Sequence, residues 1–105
     1  MVEIKRYKLR FLPQFSEDLN EIVDYICYEL QNPAAAERFI ELVEQAIAER
    51  TTCAEAFEPY HSIRERAYPY YRIYVKHYTV FYVVIGDIME VRRIIYQKRN
   101  VFDNI

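Results

Sequence analysis

The spacing of hydrophobic residues changes twice along the chain and predicts six elements. Residues 3–11 alternate in polarity, which predicts a first strand with Tyr7, Leu9 and Phe11 facing inward. Pro13 ends that strand. Apolar residues then recur every three or four positions, and the period returns to two near the C-terminus. The order is therefore strand, helix, helix and three strands.

Two consecutive helices are predicted from the helical spacing. The first runs from about residue 16 to 30, with Ser16 as N-cap and two acidic residues behind it in the first turn. The second runs from about 33 to 50, because Asn32 precedes a proline that suits the first helical position. Only two or three residues join them, so we expect an antiparallel helical hairpin.

The C-terminal part of the chain predicts a sheet. Residues 51–62 have no regular spacing and predict a loop. Strands are predicted over residues 72–76, 78–85 and 88–96. The middle strand is almost continuously apolar, which indicates burial on both faces. Gly86 and its neighbour form a two-residue hairpin turn, and such short connections predict an antiparallel meander.

These elements predict an α+β fold in which the helical hairpin covers one face of the sheet. We expect one domain over residues 1–105, a length that buries about two-thirds of the unfolded surface. The chain is 52% hydrophobic with one glycine, which excludes a low-complexity or disordered protein. No apolar run is long enough for a bilayer, and the start lacks an apolar signal core. We therefore expect a cytoplasmic protein with no membrane partner.

Few residues suggest metal or redox chemistry. The two cysteines, Cys27 and Cys53, lack a C-x-x-C spacing and predict reduced, partly buried thiols. The two histidines, His61 and His77, do not make a metal site by themselves. We expect neither a cofactor nor a metal.

The net charge of −2 hides an asymmetry between two parts of the chain. Residues 1–59 carry six Lys/Arg and twelve Asp/Glu, whereas residues 60–105 carry eight and four. Such a division suggests two faces with different partners, the acidic helices forming the side opposite the basic strand.

The last strand gathers part of this positive charge. Strict alternation puts Arg93 on the same face as Met89, Val91 and Ile95, the more apolar face. An arginine there must be paired or lie at an opening. It either pairs with a helix carboxylate such as that of Asp18 or Glu21, or contacts a phosphate or an acidic partner.

Further cations alternate with tyrosines along the predicted sheet. The candidate partner- or nucleic-acid-binding residues are Arg64, Arg66, Arg72, Tyr74, Lys76, Tyr78 and Arg92. Positive charge interleaved with tyrosine is typical of RNA-contacting surfaces and equally of protein interfaces. Tyrosine also simply favours strands, and the composition alone does not separate these three explanations.

The order of the segments and their amino-acid sequences resemble those of the RelE/ParE superfamily of toxins from type II toxin–antitoxin modules. "SEDLNEIVDYI" resembles the family's first helix, and "NPAAAERFIELVEQAI" resembles its second. "YYRIYVKHYTVFYVV" resembles the paired strands, and "MEVRRIIYQKRN" the C-terminal strand. In this matching Arg93, Tyr96, Arg99 and Asn100 occupy the C-terminal motif. The resemblance covers nearly the whole chain and implies two helices on a mostly antiparallel sheet.

The resemblance also implies a toxin held inactive by a cognate antitoxin, which wraps an acidic, partly disordered segment over it in a hetero-oligomeric complex. One branch of the family, which is ParE-like, poisons DNA gyrase and needs no catalytic residues. The helical pattern and the C-terminal motif look closer to that branch, so we expect a gyrase poison.

The alternative branch cleaves messenger RNA on the ribosome. If this chain is such a nuclease, Arg93 and Arg99 are expected to contact phosphate, and Tyr96, Lys98 or His77 to act as acid or base. Thr79 stands where that branch commonly has an arginine, and no tyrosine follows Tyr96. A second alternative is a protein-interaction module without toxicity.

Overall fold

The computed structural model describes residues 6–59 and 67–97. Seven elements follow one another in these residues, and a π-helical segment directly continues the first helix. The elements are β1 (Lys8–Phe11), α1 (Pro13–Asp24), the π segment (Tyr25–Glu29), α2 (Pro33–Arg50), β2 (Tyr71–Val75), β3 (Tyr78–Ile85) and β4 (Ile88–Tyr96). The predicted order of a strand, two helices and three strands is confirmed.

The strands form one sheet in the order β1-β4-β3-β2. The last three strands pair antiparallel, which confirms the meander, and β1 pairs parallel to β4 along the other side. A parallel pair needs a crossover, and the two helices lie within it. The fold is therefore α+β with a mixed sheet, and the predicted fold class is confirmed. Neither α1 nor α2 is both long and apolar enough to cross a membrane.

Of the three residues predicted to face inward from the first strand, two do not. Tyr7 is buried, but Leu9 and Phe11 are 40% and 47% exposed. Within residues 6–59 and 67–97, β1 is an edge strand of four residues whose only neighbour in the sheet is β4. Side chains at such an edge are covered on fewer sides than those of a central strand. Phe11 contacts the ring of Phe15, with 5.5 Å between the ring centroids.

The first helix begins three residues earlier than predicted, so Ser16 lies inside it and is not its N-cap. The cap position is Leu12, and Pro13 is the first helical residue. Proline fits there because it has no N–H to satisfy and its φ is already helical. The backbone N–H of Leu12 donates to the carbonyl of Val91 at 3.0 Å, so the helix starts where pairing with β4 stops.

The connection between the helices uses one residue in the left-handed region. In the π segment, the N–H of Leu30 donates to the carbonyl of Tyr25, five residues earlier. Gln31 follows with φ 49°, and the N–H of Asn32 donates back to Ile26. Gln31 thus ends the helix at a position that glycine usually occupies. The side chain of Asn32 accepts from the N–H of Ala35 and caps α2, which confirms the predicted cap.

Glycine at the two non-glycine positions with positive φ is expected to stabilise the fold. Gln31 and Lys76 have φ values of 49° and 55°, which are costly for residues with a Cβ. Each of Gln31→Gly and Lys76→Gly should raise the free energy of unfolding by about 0.5–1 kcal/mol in urea titrations. Glu44→Gly, in the exposed interior of α2, should lower it by a similar amount. A loss of stability in both positive-φ variants would contradict the argument.

The main core lies between the helices and one face of the sheet. Phe39, Val43 and Ile47 from α2 pack there against residues such as Val80 and Tyr82 of β3. A smaller cluster of Tyr70, Phe81, Val83 and Ile95 lies on the opposite face. β3 contributes to both clusters, which confirms it as a central strand buried on both faces.

The loop after α2 is fixed to the core by its polar groups. The hydroxyl of Tyr82 donates to the carbonyl of Ala54 at 2.6 Å and accepts from Nη1 of Arg50 at 3.0 Å. The same Nη1 donates to the carbonyl of Arg72 at 3.0 Å. The ring of Tyr82 also stacks on that of Tyr71, with centroids 5.3 Å apart. One buried tyrosine therefore links the loop to two strands.

Candidate functional site

Four of the predicted site residues line one concavity at the C-terminal end of β4. This depression, which we call the β4 concavity, has a volume of about 730 Å³. α1, the π segment, the β2–β3 turn and β4 surround it. It is lined by Gln14, Asp18, Glu21, Ile22, Tyr25, Leu30, His77, Tyr78, Arg93, Ile94, Ile95 and Tyr96. The fold thus brings together His77, Tyr78, Arg93 and Tyr96.

A β-bulge in β4 changes which face each residue takes. Phe81 lies opposite Arg93, but the next residue, Tyr82, lies opposite Val91, so Arg92 is an extra residue in β4. The strict alternation predicted for this strand is therefore wrong beyond Val91. Ile95 packs in the smaller cluster, away from the helices, while Val91 packs in the main core. A bulge shifts the alternation by one residue and re-aims the side chains beside it.

Arg93 is held by a carboxylate of the first helix. Its Nε donates to Oδ2 of Asp18 at 2.8 Å, and its Nη2 donates to Oδ1 at 3.2 Å. This bidentate hydrogen bonding raises the pKa of Arg93, against the opposing effect of burial. The ion pair was one of the two predicted alternatives for Arg93, with Asp18 among the named partners. The contact also puts α1 beside the basic strand, so the predicted separation of acidic helices from that strand is wrong for α1.

Two aromatic rings of the β4 concavity, those of Tyr78 and Tyr96, are in contact, with their centroids 5.5 Å apart. The ring of Tyr78 also contacts that of Phe39 in the main core, at 5.1 Å. His77 is exposed in the two-residue turn before it. Gln97 holds that turn. Its side chain donates to the carbonyl oxygens of Lys76 and Tyr78, and its backbone N–H donates to the carbonyl oxygen of His77.

Arg92 belongs to a second charged cluster that the sequence analysis missed. Glu90 is only 5% exposed, and its carboxylate accepts from Nε of Arg92 at 2.8 Å and from Nε of Arg10 at 2.7 Å. The guanidinium of Arg92 also lies 5.8 Å from the ring centre of Tyr70. Burial tends to raise the pKa of Glu90, but the hydrogen bonds from Arg92 and Arg10 prevail and lower it. The sequence signal for this cluster was the position of Glu90 two residues before Arg92 in the same strand, which places both side chains on one face.

The remaining candidates are dispersed or lie elsewhere. The guanidinium of Arg72 lies 5.9 Å from the ring centre of Tyr74, an exposed residue of β2. Lys76 is exposed and follows β2, which ends one residue earlier than predicted because Lys76 takes a turn conformation. Outside the described residues lie Arg64, Arg66, Lys98, Arg99, Asn100 and His61. Cys27 and Cys53 are free thiols of intermediate burial, as predicted.

An apolar groove continues the β4 concavity towards α2. It has a volume of about 590 Å³ and shares Tyr25, Leu30 and the β2–β3 turn with the concavity. Tyr25 and Leu30 are more than half exposed, and Leu42 of α2 is 39% exposed. Cationic side chains, those of Arg38 and Lys76, also line it. Large exposed apolar side chains beside cations are typical of a protein-binding surface.

A family model and two solved structures match the chain. The family model described as the ParE toxin of the type II toxin–antitoxin system, parDE, matches residues 9–101. A structure of the chromosomal ParDE system from P. aeruginosa superposes with a TM-score of 0.68 at 15% identity, covering 88% of this chain and 97% of that one. The RelB–RelE antitoxin–toxin complex from Methanococcus jannaschii superposes with a TM-score of 0.51 at 20% identity, covering 91% of this chain and 98% of that one. At these identities the two structures support the fold alone. No curated protein sequence matches the chain.

Proposed function

The chain belongs to the ParE toxin family of type II toxin–antitoxin systems, and we propose that it stops bacterial growth by poisoning DNA gyrase. The target follows from the branch that the sequence resembles, and it implies action in the cytoplasm. Such a poison needs a shaped surface for its target and no acid–base machinery of its own.

The contact between Arg93 and Asp18 carries this proposal. A nuclease that uses the ribose 2′-hydroxyl must stabilise the charge that develops on the phosphate, and an arginine is the expected donor. The guanidinium of Arg93 already has a bidentate carboxylate partner, and Arg92 and Arg10 share Glu90. Each of these three arginines therefore already has a carboxylate partner within the fold, which favours binding of a protein target over phosphate chemistry.

We further propose that a cognate antitoxin binds the apolar groove together with the β4 concavity. Both solved structures named above are described as toxin–antitoxin systems or complexes. The exposed side chains of Tyr25, Leu30 and Leu42 offer an apolar strip, and Arg38 and Lys76 offer contacts for carboxylates. An acidic segment that orders on binding fits this combination. The partner complex would therefore be a hetero-oligomer.

The purified chain is expected to inhibit supercoiling of relaxed plasmid by gyrase, and its induced expression to arrest growth with intact messages. His77→Ala and Tyr96→Phe should inhibit as well as the wild type. Tyr96→Phe keeps the ring beside Tyr78 and removes only the hydroxyl. Both variants remove a candidate acid or base, which a gyrase poison does not use. Growth arrest with cut messages, lost in these variants, would contradict the proposal.

One observation favours the ribosome-dependent nuclease as a second candidate. His77, Tyr96 and Arg93 line the same concavity, where a base, an acid and a cation would be needed. Cleavage of ribosome-bound messages that is lost on Arg99→Ala would support it. Harmless expression of the chain alone would instead support the interaction module without toxicity.

A further inference from the structure

Asp18 is a buried carboxylate with an unusual number of partners. It is 8% exposed on α1, and its side chain accepts four hydrogen bonds. Two come from the guanidinium of Arg93 and one comes from Nε2 of Gln14 at 3.0 Å. The fourth comes from the backbone N–H of Ile94 to Oδ2 at 3.2 Å. This last contact ties a helix side chain to the backbone of the sheet.

The hydrogen bond to Ile94 replaces strand pairing. β1 pairs with β4 only from Ile88 to Val91, and the chain then leaves the sheet as α1. Beyond that point the outer edge of β4 has no neighbouring strand among the described residues. A buried backbone N–H without a partner is costly, and Ile94 is buried. The carboxylate of Asp18 takes the position that a carbonyl of β1 would otherwise hold.

The same contact follows directly after the bulge. Arg92 is the extra residue of β4, and Arg93 and Ile94 are the first residues behind it. Asp18 binds both, so it fixes the direction in which the strand leaves the bulge. Two residues further on, Tyr96 contacts Tyr78 in the β4 concavity. The shape of that concavity thus depends on a carboxylate located on another element.

We propose that Asp18 is a positioning residue of the toxin. It holds the C-terminal end of β4 in the orientation in which the β4 concavity meets its target. The inference rests on the proposed toxin activity, but it does not depend on gyrase being the target. Asp18 acts through Arg93 and the backbone of Ile94, and it need not touch the target itself.

Asp18→Ala and Asp18→Asn, with Glu17→Ala as matched control, test this. Glu17 is the neighbouring carboxylate of α1, it is exposed, and it lines neither the β4 concavity nor the apolar groove. Asp18→Ala should need roughly tenfold more induced protein for the same growth arrest, which corresponds to about 1.4 kcal/mol of lost binding to the target, because the displaced surface loses part of its contacts. Asp18→Asn retains an amide oxygen for the N–H of Ile94 and should recover most of the toxicity. Glu17→Ala should match the wild type.

Amide exchange measured by NMR separates positioning from simple loss of stability. In Asp18→Ala the amide of Ile94 should lose protection and the Tyr96 amide should shift, while the amides of β3 remain protected. Full toxicity of Asp18→Ala with an unprotected Ile94 would overturn the inference. If Asp18→Ala does not fold, Asp18→Asn decides, and a protected Ile94 together with most of the toxicity would support the inference. Lost toxicity with a protected Ile94, or full toxicity with an unprotected Ile94, would overturn it.

The same experiment distinguishes the two proposals. Growth arrest by the wild type without inhibition of gyrase would overturn the proposal that gyrase is the target. The comparison of the Asp18 variants in the growth assay would remain valid. Absence of arrest by the wild type would overturn the toxin activity and this inference with it.

Discussion

Tyr82→Ala is expected to lower the free energy of unfolding by about 3–5 kcal/mol, which is the range for deleting a fully buried aromatic side chain. Tyr82 has no exposed surface and lies in β3 at the centre of the main core. The alanine variant leaves a cavity between α2 and the sheet. It also removes the hydroxyl that joins Arg50 to the carbonyl of Ala54. Typical domains of this size have a total free energy of unfolding of only about 5–15 kcal/mol.

Tyr82→Phe is the matched control for that prediction. It keeps the ring and its stacking on Tyr71 but leaves the carbonyl of Ala54 without its hydroxyl donor. A buried acceptor that loses its donor costs about 1–3 kcal/mol. Urea titration of the three proteins should therefore rank wild type, Tyr82→Phe and Tyr82→Ala in falling stability. Equal losses in the two variants would mean that the hydroxyl, and not the ring, provides the stabilisation.

Elements with strong local signals could be predicted to the residue. α2 spans Pro33–Arg50 as expected, because Asn32 caps it and a proline opens it. β3 and β4 also have the predicted bounds, and two-residue turns leave little freedom at both ends of β3 and at the start of β4. Gly86, with φ 62°, provides the second of those turns. Local chemistry alone determines these boundaries.

Boundaries that depend on tertiary pairing could not be predicted in this way. α1 starts at Pro13, where β1 stops pairing with β4, whereas the prediction used Pro13 only as the end of the strand and placed the cap at Ser16. The bulge at Arg92 leaves no local sequence signal, since the strand reads as regular alternation. That one inserted residue put the prediction for Ile95 on the wrong face.

The residues of the candidate site were predicted better than the contacts between them. The sequence correctly offered an ion pair with Asp18 as one explanation of Arg93, because a cation at a core-directed position needs a partner. It did not show that the carboxylate also binds the backbone of Ile94. The roles proposed for Tyr96, His77 and Arg99 stay predictions, as does the single-domain organisation.

The double variant Arg10→Met/Arg92→Met is expected to lose about 3 kcal/mol of stability at pH 7, because it leaves the buried carboxylate of Glu90 without its cationic partners. Glu90 is 5% exposed, and both arginines donate to it at 2.7–2.8 Å. Methionine keeps much of the apolar stem of arginine, so the loss reflects the charge. Lys8→Met is the matched control: its ion pair with Asp87, at 3.7 Å, lies between exposed side chains and should contribute nothing measurable.

The dependence on pH identifies Glu90 as the cause. In the wild type the arginines lower the pKa of Glu90, so its stabilising contribution is present above the unfolded pKa and is lost as the pH falls through the folded value. In the double variant burial acts alone and raises that pKa, so the penalty is present at neutral pH and disappears when the carboxyl is protonated. The stability difference between the two proteins should therefore shrink from pH 7 to about pH 4. A difference that is constant over this range would show that packing, and not the buried charge, accounts for the loss.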